Sequence, residues 1–428
     1  MTETLFIVLF ALMFMTVPIA ISLAIATIAV FFIFFPGIPM IGMLAQAMVT
    51  SSDSFPIMAI PFFMLVGGLM DKSGIAKKLV DAAEAIAGKA AGGLGAAAII
   101  AAIFFSAISG SGPAVVAAVG GILIPSMVKR KYSPAYSGAL VAASGTIGPV
   151  IPPSIPMIMY GVTAGVSVTK LFTGGFIPGL MMGGALLLVN YVISRKRGYA
   201  GVAREQVGFK WIFKQIWAAK WALLMPIIVL GGIYTGFCSP TEAAVLGIMY
   251  TLIVGAFLYK ELTWAKIAEA LVESAILSAT VMILVGGAIS FGRLLVLGKI
   301  PETIAASMLS ISQTPIVVMF MINIFLLIGG MFIDTVSNVI LFTPLFLPII
   351  VKMGYDPVFF GVIMTVNLCI GFLTPPLGMN LFIAQGVANT TLEKIIKEVI
   401  PFFLALVLVL IILIAFPDIT MVLVRLVS

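Results

Sequence analysis

Two charged side chains within long apolar stretches are the first candidates for chemistry. Asp334 lies in "GGMFIDTVSN" and Arg293 lies in "GGAISFGRLLVLGK". A carboxylate in apolar surroundings can bind a cation, hold a turn through hydrogen bonds or carry a proton. An arginine can bind a carboxylate through two parallel hydrogen bonds, or its long side chain can extend towards water near Lys299. These alternatives stay open for both residues.

Small, hydroxyl-bearing and proline residues interrupt the apolar sequence at four places. Two interruptions are short tips, Ser109–Pro113 and Asp334–Asn338, and two are proline-rich, Gly145–Pro156 and Cys369–Gly378. Adjacent prolines remove backbone donors and stop a helix, which leaves carbonyl groups without partners. Carbonyl and hydroxyl oxygens are suitable ligands for Na⁺, and free N–H groups at helix N-termini suit a carboxylate. We therefore predict an ion and substrate site at these breaks.

The elements that must position these groups are membrane helices. Of the 428 residues, 62% are hydrophobic and 9% are charged, and the mean hydropathy is +1.26. A soluble fold of this length cannot bury so much apolar surface, and many apolar stretches approach the ~20 residues that span a bilayer. The first residues, "MTETLFIVLFALMFM", predict a membrane helix and not a cleaved signal peptide. We predict an all-α, polytopic membrane protein.

The composition also excludes several function classes. Histidine is absent, which excludes histidine metal sites and histidine proton relays. Cys238 and Cys369 are distant and give neither a metal-ligand spacing nor a disulfide framework. The net charge of +7 comes from basic residues beside apolar segments, so it does not indicate nucleic acid. We expect a protein that is not an enzyme, has no cofactor and lies among membrane lipids.

Aligned prolines reveal an internal repeat with an offset of 223 residues. Ser111 aligns with Asp334 at this offset, and the aligned prolines are Pro125 with Pro348, Pro134 with Pro357, Pro152 with Pro375, Pro153 with Pro376 and Pro178 with Pro401. We predict a first repeat over residues 1–194 and a second over 221–428. The basic, tryptophan-containing segment 195–220 between them is typical of an amphipathic helix on the cytoplasmic face.

The distribution of basic residues favours inverted repeats. Lys72, Lys77, Lys78, Lys89 and residues 129–131 flank the first tip, whereas the equivalent loop of the second repeat keeps only Lys352. One repeat therefore directs its basic loops to the cytoplasm and the other does not, a common arrangement in secondary transporters. A parallel repeat is the alternative.

Each repeat is predicted to contain a re-entrant hairpin and a broken helix. The apolar runs beside the first tip are too short to cross ~30 Å of hydrocarbon. We expect hairpins at about 92–128 and 302–350, and broken helices at about 133–165 and 357–388. Inversion requires an odd number of crossings in each repeat, and Leu5–Phe35 can form one long helix or two short ones. A single break can simply kink a packed helix, but matching breaks in both repeats favour binding sites.

Five motifs resemble the large membrane subunit of tripartite ATP-independent periplasmic (TRAP) transporters. In chain order they are "SGSGPAVVAAVG", "IPPSIPMIMYG", "SPTEAAVLG", "FIDTVSN" and "TPPLGMNLF". The resemblance implies sodium-gradient-driven import of an organic acid across the bacterial inner membrane. Sialic acid, another sugar acid and a C4-dicarboxylate are the expected substrates. It also implies two partners, a periplasmic substrate-binding protein and a small four-helix membrane subunit that is a separate chain here.

The resemblance further implies an elevator mechanism and two sodium sites. Residues 92–165 and 302–388 would move against a scaffold formed by the first and terminal helices of each repeat. Each ion would lie between a tip and the neighbouring broken helix. For one ion the expected residues are Ser106, Ser109, Gly110, Ser111, Gly145, Thr146 and Gly148. For the other they are Gly330, Asp334, Ser337, Asn338, Thr374 and Gly378. The substrate is expected between the tips, near Arg293, Ser111, Pro113, Pro153, Asn338 and Pro376.

Two other functions share part of this pattern. A stand-alone Na⁺-coupled dicarboxylate symporter would use the same physics without a binding protein. A channel or structural subunit would show passive flux or none, without dependence on Na⁺. The oxygen-rich breaks, which occur in both repeats, favour ion-coupled transport.

Overall fold

In the computed structural model, the regular secondary structure of the described residues is all helical, and no strand occurs among them. These residues are 1–35, 42, 46, 49–50, 55–87, 91–199, 209–376 and 378–427. Within them, seven helices are long and apolar enough to span a membrane, or up to nine if each of two bent helix pairs forms one span. The predicted all-α, polytopic fold class is confirmed.

The first repeat contains nine helices in the described residues. They are α1 (Thr2–Phe14), α2 (Ile19–Phe34), α3 (Ala59–Lys72), α4 (Ile75–Ala87), α5 (Gly93–Ser109), α6 (Gly112–Lys129), α7 (Pro134–Gly145), α8 (Ile155–Ala164) and α9 (Val168–Arg197).

The second repeat is preceded by α10 (Phe209–Ala218) and has the same order of elements. Its helices are α11 (Lys220–Tyr234), α12 (Pro240–Ile253, continued by a π-helical turn, Val254–Leu258), α13 (Trp264–Leu297), α14 (Ile300–Ile311), α15 (Pro315–Phe332), α16 (Thr335–Lys352), α17 (Pro357–Gly371), α18 (Met379–Ala388), α19 (Leu392–Ala415) and α20 (Pro417–Val427).

Prolines begin equivalent helices in the two repeats. Pro134 is in the first turn of α7 and Pro357 is in the first turn of α17, where a missing N–H costs nothing because that group has no intrahelical partner. The segment 133–165 contains α7 and α8 around a break without regular helix, and the segment 357–388 contains α17 and α18 around another. The peptide bonds Pro152–Pro153 and Pro375–Pro376 are both cis.

The second hairpin begins later than residue 302, where the sequence analysis placed it. Its arms are α15 and α16, and residues 302–311 belong to a separate helix, α14. The Ser312 hydroxyl accepts a hydrogen bond from Thr314 N at 3.2 Å, and Pro315 starts α15 in its first turn. This turn separates α14 from the hairpin, so the hairpin runs from Pro315 to Lys352.

The segment Leu5–Phe35 forms two short helices and not one long helix. Pro18 is the N-cap of α2, and α1 packs against α2. The second repeat repeats this arrangement, with Pro240 at the start of α12 and α11 packed against it. Pro18 and Pro240 therefore break the corresponding apolar segment of each repeat.

Contacts at the helix ends show that the two hairpins enter from opposite faces. At one face, Gly92 N donates to Tyr199 O at 3.0 Å, and the rings of Tyr132 and Tyr199 stack at 4.3 Å, so the open end of the α5–α6 hairpin lies beside the end of α9. At the other face, Tyr355 and Lys170 line one cavity, so the loop after α16 lies beside the start of α9. The 30 residues of α9 span about 45 Å, which separates these faces. The repeats are therefore inverted, and the face with residues 195–197 is cytoplasmic because of its basic residues.

Helix packing divides most of the chain into two groups. In what we call the outer group, α13 packs against α2 and α3, and α12 packs against α3 and α11. In the core group, α18 of the second repeat packs on α6 and α7 of the first, while α8 packs on α16 and α17. The terminal helices α9 and α19 pack on the hairpins and broken helices, so they belong to the core group and not to the scaffold expected for them.

The predicted linker, 195–220, contains the end of α9 and the helix α10, and its residues 200–208 lie outside the described residues. The helix α10 packs on α4 and is bent by 57° from α11. Lys220 Nζ lies 4.2 Å from the ring centroid of Trp217, a cation–π contact at this bend.

Candidate ion and substrate site

The first hairpin tip is a tight turn closed by its own serines. Ser109 ends α5, and Gly110 follows in the left-handed conformation with φ 62°, which a residue with a Cβ rarely adopts. Ser111 is the N-cap of α6, because its Oγ accepts from Ala114 N at 3.5 Å. Ser111 N in turn donates to Ser109 Oγ at 3.4 Å, and Pro113 lies in the first turn of α6. The tip therefore presents two serine hydroxyls on a rigid turn.

This tip lies directly against the proline-rich break that follows α7. A Cβ added at Gly110 would lie 2.6 Å from Pro153 O, and one added at Gly148 would lie 2.8 Å from Ser111 O. Backbone therefore approaches backbone at both positions, and only glycine allows this approach. The structure brings Gly110, Ser111, Gly148 and Pro153 together, as the sequence analysis expected of tip and break.

Ser106 and Thr146 flank the first tip and break with buried hydroxyl groups. Ser106 Oγ donates to Ala102 O at 2.5 Å, and Thr146 Oγ1 donates to Ala143 O at 2.7 Å. Each hydroxyl uses its hydrogen for a backbone carbonyl of its own segment, so its oxygen lone pairs remain available as acceptors.

A residue of the second repeat also reaches the first break. Asn380, in α18, is fully buried, and its Nδ2 donates to Ala142 O at 3.1 Å. A Cβ at Gly145 would lie 2.8 Å from Asn380 Nδ2, so the amide lies beside the break. Asn380 was not among the predicted site residues, because the crossing of α18 to the hairpin of the other repeat cannot be seen within either repeat alone.

The second tip is built on Asp334, which is the N-cap of α16. Asp334 Oδ1 accepts from Ser337 N at 3.0 Å, and Asp334 Oδ2 accepts from the Ser337 hydroxyl. Asn338 Nδ2 donates to Ile333 O at 2.9 Å and so holds the turn before the cap. The carboxylate thus accepts two hydrogen bonds from one residue of its own helix and remains half-buried.

The second tip also lies against the break that follows its neighbouring helix. A Cβ at Gly371 would lie 2.7 Å from Gly330 C, so α15 and the end of α17 meet through two glycines. Thr374 N donates to Gly371 O at 2.9 Å, and a Cβ at Gly378 would lie 3.4 Å from Thr374 O. Gly371 was not among the predicted residues, although its alignment with Gly148 at the offset of 223 would have found it.

Several buried side-chain oxygens at these two places have no hydrogen-bond partner. Within the described residues they include Thr335 Oγ1, Asn338 Oδ1 and Thr374 Oγ1 near the second tip, and Asn380 Oδ1 near the first break. A buried acceptor without a partner is unfavourable by roughly 1–3 kcal/mol. A bound cation would satisfy these oxygens, and with the tip hydroxyls they form the all-oxygen donor sets that suit Na⁺.

Arg293 lines a cavity between the outer group and the core group. The cavity has a volume of about 620 Å³ and is bounded by residues of α2, α8, α13 and α16, including Thr163 and Pro344. Arg293 is exposed, and no carboxylate of the described residues pairs with it. The other predicted substrate residues, Ser111, Pro113, Pro153, Asn338 and Pro376, do not line this cavity.

Comparison with known proteins identifies the family. The family model described as "Tripartite ATP-independent periplasmic transporter, DctM component" matches residues 6–419. The chain belongs to this family. The resemblance that five short motifs indicated therefore extends over nearly the whole sequence. The DctM-family chain is a multi-pass protein of the bacterial inner membrane.

Several relatives of this DctM-family chain are named for the substrate that they transport. It is 46% identical to the isethionate TRAP transporter permease protein DctMQ of Oleidesulfovibrio alaskensis, over 95% of this chain and 63% of that protein. It is 37% identical to the sialic acid TRAP transporter permease protein SiaT of Haemophilus influenzae, over 95% of this chain and 66% of that protein. The chain thus spans less than two thirds of either relative. It is 36% identical to the sialic acid TRAP transporter large permease protein SiaM of Vibrio cholerae, over 96% of both chains.

A solved structure supports the architecture of the DctM-family chain. The YdaH transporter of Alcanivorax borkumensis has a TM-score of 0.62 with it, at 17% sequence identity, over 88% of this chain and 89% of that one. At this level of identity the likeness concerns the fold alone, and it covers both repeats.

Proposed function

We propose that this DctM-family chain is the transport subunit of a sodium-gradient-driven importer of organic acids. The observation that carries the proposal is the pair of hairpin tips, each docked by glycine contacts onto a proline-rich break and accompanied by buried oxygens without partners. Such oxygens are best satisfied by a small hard cation, and a matched pair in inverted repeats is the arrangement of secondary transporters. Na⁺ is carried as the coupling ion, and no cofactor is involved.

The first ion is proposed to bind between the first tip and the break after α7. Its candidate ligands are the oxygens of Ser106, Ser109, Gly110, Ser111, Gly145, Thr146 and Gly148, and we add Asn380 Oδ1. The contacts of Gly110 with Pro153 and of Gly148 with Ser111 support this assignment. The buried, unpartnered Asn380 Oδ1 supplies a ligand from the opposite repeat.

The second ion is proposed to bind between the second tip and the break after α17. Its candidate ligands are the oxygens of Gly330, Asp334, Ser337, Asn338, Thr374 and Gly378. Asn338 Oδ1 and Thr374 Oγ1 are buried without partners, and the Gly330–Gly371 contact joins the two segments that carry them. Asp334 gives this site a full negative charge, which favours the ion more strongly than the neutral first site does.

The substrate is proposed to be a small organic anion bound by Arg293. The cavity of about 620 Å³ beside Arg293 is within the roughly 300–1,000 Å³ of small-molecule sites. A guanidinium without an ion pair binds carboxylate or sulfonate oxygens through two hydrogen bonds. Relatives of this chain are named for sialic acid, C4-dicarboxylates and isethionate. Each of these compounds carries a carboxylate or a sulfonate group. We therefore propose sialic acid or another sugar acid, a C4-dicarboxylate or isethionate as the substrate.

The transport step is proposed to be an elevator movement of the core group against the outer group. Support comes from the location of the Arg293 cavity, which has walls from both groups: α2 and α13 on one side, α8 and α16 on the other. A substrate held at such a boundary changes its access when one group slides along the other.

Two partners complete the proposed transporter. A periplasmic binding protein delivers the substrate, and a small four-helix membrane subunit joins this chain in the membrane. Both proposals rest on family membership.

Uptake into proteoliposomes tests the proposed function. The chain and its small subunit are reconstituted together, the binding protein is added outside with one labelled acid, and an inward Na⁺ gradient is applied. Acids of the panel are sialic acid, a C4-dicarboxylate and isethionate. We expect uptake of one class that stops when K⁺ replaces Na⁺. Uptake without a Na⁺ gradient would refute the coupling, and Na⁺-driven uptake without the binding protein would favour the stand-alone symporter.

A further inference from the structure

The two repeats differ at the open ends of their hairpins. In the first repeat this place is filled by aromatic rings, because Tyr199 stacks on Tyr132 at 4.3 Å and lies 5.3 Å from the ring of Tyr136. Tyr199 also anchors the backbone, since its hydroxyl accepts from Ser133 N at 3.3 Å. The cytoplasmic base of the first hairpin is therefore closed by side chains of the protein itself.

At the equivalent place of the second repeat the structure has a cavity. Tyr355 and Phe359 correspond to Tyr132 and Tyr136 at the offset of 223, and both line a space of about 650 Å³. No residue of the described chain fills it as Tyr199 fills the first. The inverted repeat thus provides an internal reference: among the described residues, the second position is left open to a ligand.

The cavity combines positive charge with an apolar floor. Lys170, in the first turn of α9, and Arg425, near the end of α20, line it together with Met421 and Val424. Arg425 Nη1 pairs with Asp418 Oδ1 at 2.7 Å, but both side chains are mostly exposed, at 66% and 82%. An exposed pair of this kind is weak, and the guanidinium keeps further donors for a second anion.

One carboxylate also lines the cavity, and it has a structural task. Asp356 is the N-cap of α17, where its Oδ1 accepts from Val358 N at 2.7 Å. Asp356 is thus engaged in capping and Asp418 in the exposed pair with Arg425. Lys170 has no ion pair among the described residues, so Lys170 and the remaining donors of Arg425 can bind an anionic ligand.

The cavity lies at the depth of lipid head groups on the face opposite the cytoplasmic one. Its walls are the first turn of α9, the loop before α17 and the helix α20. The helix α20 is amphipathic: Thr420, Met421 and Val424 are buried against the protein, whereas the charged Asp418 and Arg425 are mostly exposed. The apolar Val422 and Leu426 are exposed beside them, at 41% and 75%. Amphipathic helices of this kind lie in the membrane interface.

We propose that this cavity binds the phosphate of an anionic phospholipid of the periplasmic leaflet. Lys170 and Arg425 bind the head-group oxygens, and the exposed Val422 and Leu426 of α20 contact an acyl chain. The ligand has to carry both a phosphate and an apolar part, because the lining offers both kinds of surface. The proposal does not depend on the transported substrate or on its coupling ion.

Retention of lipid by the purified full-length chain tests this proposal without a transport assay. The protein is equilibrated with an equimolar mixture of phosphatidylglycerol and phosphatidylcholine, and the bound lipids are counted by native mass spectrometry. We expect wild type to prefer phosphatidylglycerol, and we expect Lys170→Gln and Arg425→Gln each to weaken that preference about fivefold. Lys352→Gln is the matched control, because Lys352 is exposed at the end of α16 on the same face and does not line the cavity.

Charge-keeping variants separate binding from folding. Lys170→Arg and Arg425→Lys keep the positive charges and should retain the preference, and gel filtration and thermal unfolding check that every variant is folded. The proposal is overturned if the double Gln variant keeps the preference, or if the charge-keeping variants lose it as well. It is also overturned if inorganic phosphate alone raises the melting temperature through Lys170 and Arg425 while no lipid preference exists. If the Gln variants no longer bind the periplasmic binding protein but keep the lipid preference, the two cations contact a protein partner. That result would contradict a lipid site.

Discussion

Ser111 and Asp334, which are 223 residues apart, hold the same position in the two hairpins. Ser111 Oγ accepts from Ala114 N at 3.5 Å, and Asp334 Oδ1 accepts from Ser337 N at 3.0 Å, so each side chain caps the returning helix. The two tips therefore share their backbone design and differ in charge, with a hydroxyl in one repeat and a carboxylate in the other. Helix capping is common to both tips, whereas the negative charge occurs only at the second tip. The cap and the charge can therefore be tested separately.

Asp334→Ala is expected to abolish Na⁺-driven uptake while the protein is still expressed. Loss of the cap should lower the free energy of unfolding by about 1 kcal/mol, which a folded membrane protein can tolerate. Asp334→Asn keeps an acceptor for Ser337 N but removes the charge, and should raise the half-saturating Na⁺ concentration by about tenfold or more. Uptake at graded Na⁺ concentrations measures both effects.

Thr263→Ala is the matched control for loss of a cap, since Thr263 caps α13 by accepting from Lys266 N at 3.4 Å, carries no charge and lies outside both proposed ion sites. If Asp334→Asn takes up substrate with unchanged Na⁺ dependence, the carboxylate has only a capping role and is not part of the ion site.

Gly148→Ala and Gly371→Ala should each separate a tip from its break. The added methyl group would lie 2.8 Å from Ser111 O in the first case and 2.7 Å from Gly330 C in the second, and backbone cannot move aside as a flexible side chain can. Overpacking of this kind costs about 1–3 kcal/mol. We expect a lower melting temperature and strongly reduced uptake for both variants.

Gly121→Ala tests whether those losses are specific to the tips. Gly121 lies within α6, and an added Cβ there would meet no atom within 4 Å. Because alanine favours a helix over glycine by about 0.5–1 kcal/mol, this variant should be neutral or slightly stabilised. Equal losses for Gly121→Ala and Gly148→Ala would contradict a special role for the tip contacts.

Asn380→Ala should weaken the dependence of uptake on Na⁺ through the first ion site. Asn380 Oδ1 is buried without a partner, so its removal takes away a proposed ligand, whereas Asn380→Asp keeps an oxygen and should retain more activity. Gln385→Ala, on the same helix α18, serves as the control. If the half-saturating Na⁺ concentration of Asn380→Ala is unchanged, Asn380 is not an ion ligand. Its role is then only the hydrogen bond that joins α18 to Ala142 O.

The sequence was sufficient for the features that depend on local chemistry. Glycine, serine and proline have narrow conformational preferences, so "SGSGP" predicted a turn at Gly110 and a helix start near Pro113. Because Ser111 aligns with Asp334 at the offset of 223 residues, the same turn was predicted at Asp334. The fold class followed from the apolar content, because only helices can satisfy the backbone throughout a bilayer in a chain of this pattern.

Features that depend on packing between the repeats could not be read in this way. Asn380 contributes to the first break because α18 crosses to the first hairpin, and no local pattern around "GMNLF" indicates that crossing. The terminal helices α9 and α19 have apolar sequences suited to either group, and only their contacts with the core place them there. The end of α14, by contrast, is marked in the sequence by the polar residues Ser312, Gln313 and Thr314 before Pro315, and the hairpin boundary predicted at 302 overlooked them.

Arg293→Ala should impair uptake by weakening substrate binding. Loss of two charge-assisted hydrogen bonds costs about 1.5–3 kcal/mol, so the KM for the organic acid should rise by at least about tenfold. Arg293→Lys keeps the charge but not the paired geometry, and should fall between wild type and Arg293→Ala. Initial rates at graded substrate concentrations and saturating Na⁺ separate KM from maximal rate. Lys299→Ala, at the end of the same helix, should leave KM unchanged. If Arg293→Ala leaves KM unchanged too, the side chain extends to the membrane surface, and the anion must be held by the helix N-termini at the two tips.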